Sequence, residues 1–327
     1  DRNNDNILDI KEWDDNTDGI PDGYFLVTNA GALPEQLGKA FARLLNNVSS
    51  ASAVAANTSR LDTGTLVYQA RFDPRDWSGQ LLALSVDAVT GLVNTMTPNW
   101  EAASVLPAAA SRHIYTYDPA AAAGARGIAF EWEELTDSQQ AQLNQLDGVA
   151  DEKGEDRLNW LRGDNADELR LGGNFRNRIK KFDDNFMISA SELSDSSIDT
   201  YKLGDIVNSD PIYVGAEDYG YTELAGAEGS SYSAFMLGKA SRRPMLYVGA
   251  NDGMLHGFDA RKNTAGVTSG GTEIFSYIPN SLFPELSKLT SFAYVHQYLV
   301  DGVSAAGDVY FNSAWHSILA GVTGAGG

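Results

Sequence analysis

The chain has 327 residues, 43% of them hydrophobic, enough to bury the core of one large or two modest domains. Its 44 acidic against 24 basic residues leave a net charge of -20, which repels polyanions, so nucleic acid and anionic membrane surfaces are excluded as partners over most approaches. Cysteine is absent, which removes disulfides, thiolate metal sites and cysteine nucleophiles, and no stretch stays apolar for the roughly 18 residues that a membrane span needs.

The chain opens on Asp1 inside an acidic repeat and closes on the glycine-rich run Gly321 to Gly327. It reads as an internal piece of a longer protein, so the lack of a signal peptide says nothing about location. Residues 1–28 form the first predicted unit. Asp1, Asn3, Asp5, Ile7, Asp9 and Glu12 fall at loop positions 1, 3, 5, 7, 9 and 12 of the calcium-binding order, with Ile7 offering its backbone carbonyl and Glu12 a bidentate carboxylate. Asp14, Asn16, Asp18, Ile20 and Asp22 repeat the pattern, and Gly19 takes the sharp-turn position that Asn6 holds in the first loop. Phe25 stands where the second loop's last ligand belongs, so water, Asp15 or a neighbouring loop must complete that shell. A solvated cluster of acidic turns is the alternative, since Asp, Asn and Gly are also ordinary turn formers. The repeated spacing favours Ca2+, and its period resembles that of thrombospondin type 3 repeats, in which bound ions replace a hydrophobic core.

Residues 29–60 are expected to hold an amphipathic helix and a linker. Leu37, Phe41, Leu44, Leu45 and Val48 recur at helical spacing over Leu33 to Val48, whereas Ser49 to Ser59 is rich in Ala, Ser and Asn. Residues 61–327 form the third unit. Leu66, Tyr68, Ala70 and Phe72 alternate as in a half-buried strand, with Gln80 to Val86 as hairpin partner across a turn containing Pro74 and Asp76. A helical insertion is expected around 136–163: Thr136 to Gln139 makes a capping box for a helix reaching Leu146, and a second helix carries Arg157, Leu158, Trp160 and Leu161. From Gly204 onward the pattern is almost wholly β, in short apolar segments at Pro211 to Gly215, Met245 to Gly249, Met254 to Phe258, Glu273 to Ile278 and Ser317 to Val322. Pro211 to Ala216 and Met245 to Ala250 echo one another, with a weaker echo at Ile318 to Val322, and such repeats suggest successive propeller blades. Asn251-Asp252-Gly253 reads as a hairpin turn within one blade. The predicted fold class is mainly β: a partial β-propeller with quinoprotein-type blades, short helical insertions and N-terminal calcium-binding loops.

Three segments carry a family resemblance. Leu203-Gly-Asp-Ile-Val-Asn-Ser-Asp-Pro-Ile-Tyr-Val-Gly215, Met245-Leu-Tyr-Val-Gly-Ala-Asn-Asp-Gly-Met-Leu-His-Gly-Phe-Asp259 and Tyr294-Val-His-Gln-Tyr-Leu-Val-Asp-Gly302, the last followed by Gly307-Asp-Val-Tyr310, resemble the propeller region of the PilC/PilY family of type IV pilus tip adhesins. Tyr68 to Phe72, Asp76 to Gly79 and Arg157 to Asp164 extend the likeness. The resemblance implies an exported, surface-exposed protein, and the lack of catalytic motifs in the sequence points to a non-enzymatic one. It would associate with type IV pilus components such as minor pilins, support pilus assembly and twitching, and contact host-cell or abiotic surfaces. The family's propeller continues beyond the end of this chain, and the family's N-terminal region is also absent from it.

Other chemistry is open at this level. Arg162-Gly163-Asp164 is the tripeptide that integrins recognise, although Gly163 also sits where a left-handed helix cap belongs. Asp147, Asp151 and Glu155 occupy positions 1, 5 and 9 of a further ion loop, which Val149 at position 3 spoils. His113, His256, His296 and His316 show no metal-ligand pairing, and His256 and His296 read as structural residues within apolar strands. Trp77, Trp100, Trp132, Trp160 and Trp315 offer glycan platforms or, alternatively, packing between blades. A quinone-dependent dehydrogenase remains as the enzymatic alternative, but no nucleophile elbow, Walker loop or zinc helix accompanies it.

Overall fold

In the computed structural model, which describes residues 51–56, 64–74, 76–178 and 200–326, side-chain alternation sets the first sheet. Strands β1 (Ala51–Ala56), β2 (Leu66–Asp73), β3 (Ser78–Ser85) and β4 (Trp100–Glu101) lie in that order, each antiparallel to the next. Tyr68 faces Ala83 and Ala70 faces Leu81 in the β2–β3 register, and all four side chains are buried. The expected hairpin is present. Its alternation slips at the end of β2, where Asp73 is buried and Phe72 is only half-buried against the Trp77 ring. The expected linker over Ser49 to Ser59 is corrected in part, because Ala51–Ala56 pairs along β2 as an edge strand. A run of Ala and Ser has little intrinsic strand preference, so this pairing is imposed by the neighbouring strand's backbone. The predicted helix over Leu33 to Val48 lies outside the described residues.

A second sheet begins with the hairpin of β5 (Ile114–Tyr117) and β6 (Gly127–Ala129). Helix α1 (Asp137–Leu143) follows, opened by the expected capping box: the Thr136 hydroxyl accepts from the Gln139 N–H at 3.3 Å, and the Gln139 side chain accepts from the Thr136 N–H at 3.0 Å. It stops short of Leu146. Gln145–Leu146 (β7) instead pairs with Val149–Ala150 (β8) across Asp147 and Gly148, which both have positive φ. Helix α2 (Gly154–Arg162) buries Arg157, Leu158, Trp160 and Leu161, as its spacing predicts.

The chain then forms β9 (Ile212–Val214), helix α3 (Gly226–Ala240), β10 (Met245–Gly249), β11 (Leu255–Asp259) and β12 (Glu273–Tyr277). Strands β9 to β12 are an antiparallel meander of four, the unit from which propeller blades are made. The β5–β6 hairpin extends it by pairing β5 in parallel with β12, giving the order β6-β5-β12-β11-β10-β9. Asn251-Asp252-Gly253 turns β10 into β11 as expected, with Gly253 at φ 90 and the Ala250 N–H donating to the Met254 carbonyl at 2.9 Å. The internal echo has a different meaning from the one predicted. Pro211 to Gly215 and Met245 to Gly249 are hydrogen-bonded neighbours within one meander, Met245 opposite Val214, rather than equivalent strands of two blades. Ile318 lies in β14 (Ala314–Ala320), which pairs with β13 (Ala305–Phe311) as a separate hairpin.

Helix α3 corrects the expectation of an almost wholly β region after Gly204. Its glycines and serines carry a weak helical pattern, and it buries only Gly229, Tyr232 and Lys239. Buried polar bonds hold it instead: the Tyr232 hydroxyl and the Lys239 ammonium each donate to Asp308 Oδ2 at 2.8 Å, tying the helix to β13. Helix α4 (Phe283–Leu286) completes the described helices longer than a 3-10 turn.

Two apolar clusters result. In one, Leu66, Tyr68, Leu81 and Trp100 from the first sheet pack with Leu203, Ile206, Leu246, Val248 and Phe258. In the other, Leu143, Leu158 and Trp160 from α1 and α2 pack with Ile114, Met254, Ile278, Phe283 and Leu299. All described residues belong to one compact unit spanning Ser50–Lys180 and Ala190–Gly327.

Candidate functional site

The strands of the meander carry ionisable groups that a purely apolar core would not tolerate. Arg112, just ahead of β5, is buried, and its Nε and Nη2 donate to the two carboxylate oxygens of buried Glu273, at the start of β12, at 2.7 and 2.8 Å. This bidentate fork suits a guanidinium and a carboxylate removed from water. Glu273 Oε1 also lies 2.8 Å from Nδ1 of His256 on β11. The other ring nitrogen of His256 is 3.2 Å from each oxygen of Asp252, in the β10–β11 turn. Asp252 in turn accepts from the Gly204 N–H at 3.0 Å and the Met254 N–H at 3.1 Å. The row Arg112, Glu273, His256, Asp252 therefore alternates in charge.

Each member shifts its neighbours. Burial favours neutral His256, but the carboxylates of Asp252 and Glu273 outweigh it and raise its pKa to about 9. Burial likewise disfavours the Glu273 carboxylate, and Arg112 with His256 overrides this, lowering its pKa to about 2. Asp252 is also lowered, His256 outweighing burial. All four groups are thus ionised at neutral pH.

A second arm grows from the same turn. The Asn251 amide Nδ2 donates to Asp205 Oδ2 at 2.7 Å, its backbone N–H donates to the Asp205 carbonyl at 2.9 Å, and its Oδ1 accepts from the Leu299 N–H at 2.9 Å. Asp205 Oδ2 is also 2.7 Å from His296 Nε2, and the His296 ring stacks on Trp77 with centroids 3.6 Å apart. Burial raises the pKa of Asp205 despite these bonds to His296 and Asn251. Asp301 accepts from the backbone and side chain of Asn208 at 3.0 and 2.5 Å. Three sequence segments far apart in the chain, 203–209, 249–256 and 294–302, thus meet around the Asn251-Asp252-Gly253 turn. Gly204 permits the approach, since a Cβ there would lie 2.5 Å from the Asp252 backbone nitrogen.

Those segments coincide with a family signature: residues 203–327 match the family model described as "PilY1 beta-propeller domain". Residues 203–327 belong to the PilY1 β-propeller family. The likeness to curated PilY1 proteins runs further toward the N-terminus. The chain is 35% identical over 311 residues to a "Type IV pilus biogenesis factor PilY1 homolog" of Xylella fastidiosa, covering 94% of this chain and 21% of that protein. It is 36% identical over 314 residues to "Type IV pilus biogenesis factor PilY1" of Pseudomonas aeruginosa strain PAK, covering 90% of this chain and 24% of that protein. The chain therefore spans about a quarter or less of the length of these relatives. No solved structure matches it. The expected mainly β, propeller-type fold agrees with both the meander and the PilY1 match.

The PilY1 segment supplies Asp205, Asn251, Asp252, His256, Glu273, His296 and Asp301, whereas Arg112 comes from the chain before it. None of these was singled out as a site residue in the sequence. His256 and His296 read as structural, which their bonds support for His256 in β11, although His296 lies in an irregular segment rather than a strand. The available signal was an acid or base placed inside an apolar run, as in Met254-Leu-His-Gly-Phe258.

The residues that the sequence did single out are placed differently. Asp1, Asn3, Asp5, Ile7, Asp9, Glu12, Asp14, Asn16, Asp18, Ile20 and Asp22 lie outside the described residues. Among the described residues no group of three or more His, Asp or Glu side chains could hold a metal ion. The loop of Asp147, Asp151 and Glu155 is not assembled: Asp151 binds the Arg157 guanidinium, which lowers its pKa. Arg162 is buried, its guanidinium donating to the carbonyls of Phe130, Ala109 and Arg112 at 2.8 to 3.1 Å. Gly163 caps α2 at φ 109, with the Gly163 N–H bonded to the Trp160 carbonyl and the Asp164 N–H to the Asn159 carbonyl, each at 2.9 Å. Only Asp164 is exposed, so the tripeptide is not displayed as a unit and the geometry gives integrin recognition no support. Trp100 and Trp160 are buried, which leaves them to packing rather than to glycans.

Proposed function

We propose that the chain is a non-catalytic, propeller-bearing part of an exported type IV pilus biogenesis factor, acting at the cell surface or pilus tip. The observation that carries this reading is the meeting of the PilY1-matched segments 203–209, 249–256 and 294–302 on one hydrogen-bonded network. Its partners on this reading are type IV pilus components, including minor pilins, and the host-cell or abiotic surfaces to which pili attach. No helix among the described residues is long and apolar enough to cross a membrane. In-frame deletion of residues 51–326 from the gene in its own bacterium is expected to abolish surface pili and twitching while the rest of the protein is still made. Normal piliation in that strain would remove the proposal.

We further propose that residues 1–22 bind Ca2+ and stiffen the entry to the propeller-bearing region. The oxygen-only ligand series ending in Glu12, repeated through Asp22, supports this. Calorimetric titration of the chain with calcium is expected to give heat with a dissociation constant on the order of 10⁻⁴ to 10⁻³ M, as in other extracellular modules. Asp5→Ala and Asp18→Ala should each remove one component of that heat. If both variants titrate like the parent, the ligands are elsewhere.

A further inference from the structure

A cleft beside Asp252 brings together Trp77, Trp160, Arg176, Tyr201, Lys202 and Asp252. Its cations sit in a chain of net charge -20, so they are not part of a general basic surface. Arg176 is distinctive among them. Its guanidinium lies over the Tyr294 ring at 4.3 Å and the Trp160 ring at 5.3 Å, and its Nε donates to the Leu289 carbonyl at 2.6 Å. Neighbouring Arg170 and Arg178 share Glu168 at 2.7 and 3.3 Å, but no described carboxylate lies within ion-pair distance of Arg176. Burial disfavours its charge. Aromatic rings over a guanidinium leave its donors in its own plane, and the two terminal nitrogens of Arg176 have no protein acceptor among the described residues.

We propose that this cleft binds a carboxylate, held in the plane of the Arg176 guanidinium. A planar monoanion matches the fork of two N–H donors. A phosphate dianion fits less well, because Asp76 and Asp252 also line the cleft and would repel it. The carboxylate has two possible sources, a free small acid or the C-terminus of a polypeptide.

The Trp160 indole N–H donates to the Arg176 carbonyl at 3.3 Å, so its NMR resonance reports on the cleft. The intact chain is titrated with acetate, with N-acetyl-leucine and with N-acetyl-leucinamide. Both acids are expected to shift the Trp160 indole resonance saturably, and the amide is expected to leave it in place. Tighter binding of acetyl-leucine than of acetate assigns the site to a chain terminus, and equal affinity assigns it to a free acid. Arg176→Gln is expected to weaken the acids by about ten-fold or more, and Arg176→Lys by less, as a charge without the fork. Arg126→Gln, at an exposed arginine bonded to Tyr117, should bind like the parent. No saturable shift with either acid, or an equal shift with the amide, overturns the proposal on the native chain alone. So does undiminished binding in a folded Arg176→Gln variant.

Discussion

Glu273→Ala is expected to lower the free energy of unfolding by about 3–5 kcal/mol, because it strands two buried cations at once. The Arg112 guanidinium loses both of its 2.7 and 2.8 Å bonds to the carboxylate, and His256 loses the partner of its Nδ1. Neither cation can turn to water. Arg112 is 3% exposed and His256 0% exposed, so each pays its desolvation without a counter-charge on that side. Adding Arg112→Met to the same chain removes one stranded charge and is expected to restore part of the loss, since an apolar pair in place of a buried ion pair is often neutral. Denaturant unfolding of the parent, the single variant and the double variant checks this. A loss below about 1 kcal/mol for Glu273→Ala would mean that the network is not what holds β5, β11 and β12 together.

Gly79→Ala is the second large effect, and it works through sterics rather than charge. A Cβ at Gly79 would lie 1.9 Å from the Gly204 carbonyl oxygen and 2.9 Å from its carbon, both backbone atoms that cannot swing aside. The contact joins the first sheet to the start of the PilY1 segment: the Gly79 N–H donates to the Leu203 carbonyl at 3.1 Å, and the Tyr201 hydroxyl donates to the Gly79 carbonyl at 2.5 Å. Separating the two backbones strains both bonds and disturbs Gly204, whose own N–H reaches Asp252. We expect a loss of about 2–4 kcal/mol, toward the upper end for overpacking a core. Gly127→Ala is the control, since a Cβ there would meet nothing within 4 Å. Equal melting temperatures for the two variants would show that the sheets do not depend on this approach.

The sequence made local structure legible wherever a single segment carries its own signal. The alternation of Leu66, Tyr68 and Ala70, the Thr136 to Gln139 box, the spacing of Arg157, Leu158, Trp160 and Leu161 and the Asn251-Asp252-Gly253 turn all have causes within a few residues. What was not legible depends on partners far along the chain. Ala51–Ala56 is a strand because β2 has an edge to offer. The glycine-rich α3 is fastened by Lys239 and Tyr232 to Asp308, 69 and 76 residues away. The likeness between Pro211 to Gly215 and Met245 to Gly249 is that of adjacent strands in one meander, and periodicity cannot separate that from a repeat of blades. The polar network was hidden for the same reason. Arg112 and Glu273 are 161 residues apart, and each alone looks like an ordinary surface charge. The segments that carried the family resemblance were the ones that meet there, although their chemistry was not readable one segment at a time.

The PilY1 segment is organised around a buried histidine held as a cation between two carboxylates. Burial alone would lower the pKa of His256 below its ordinary 6.5, and Asp252 with Glu273 reverses this to about 9. With the folded value above the unfolded one, the stability that His256 contributes is complete below about pH 6.5 and is lost as pH rises through about 9. Nitrogen-detected NMR of the histidine side chains across pH 5 to 10, assigned with His256→Gln, tests this most directly. Both ring nitrogens of His256 are expected to be protonated at pH 7.5, with the ring titrating near 9. A neutral His256 ring at pH 7.5, titrating at or below 6.5, would show that Asp252 and Glu273 do not hold the ring charged.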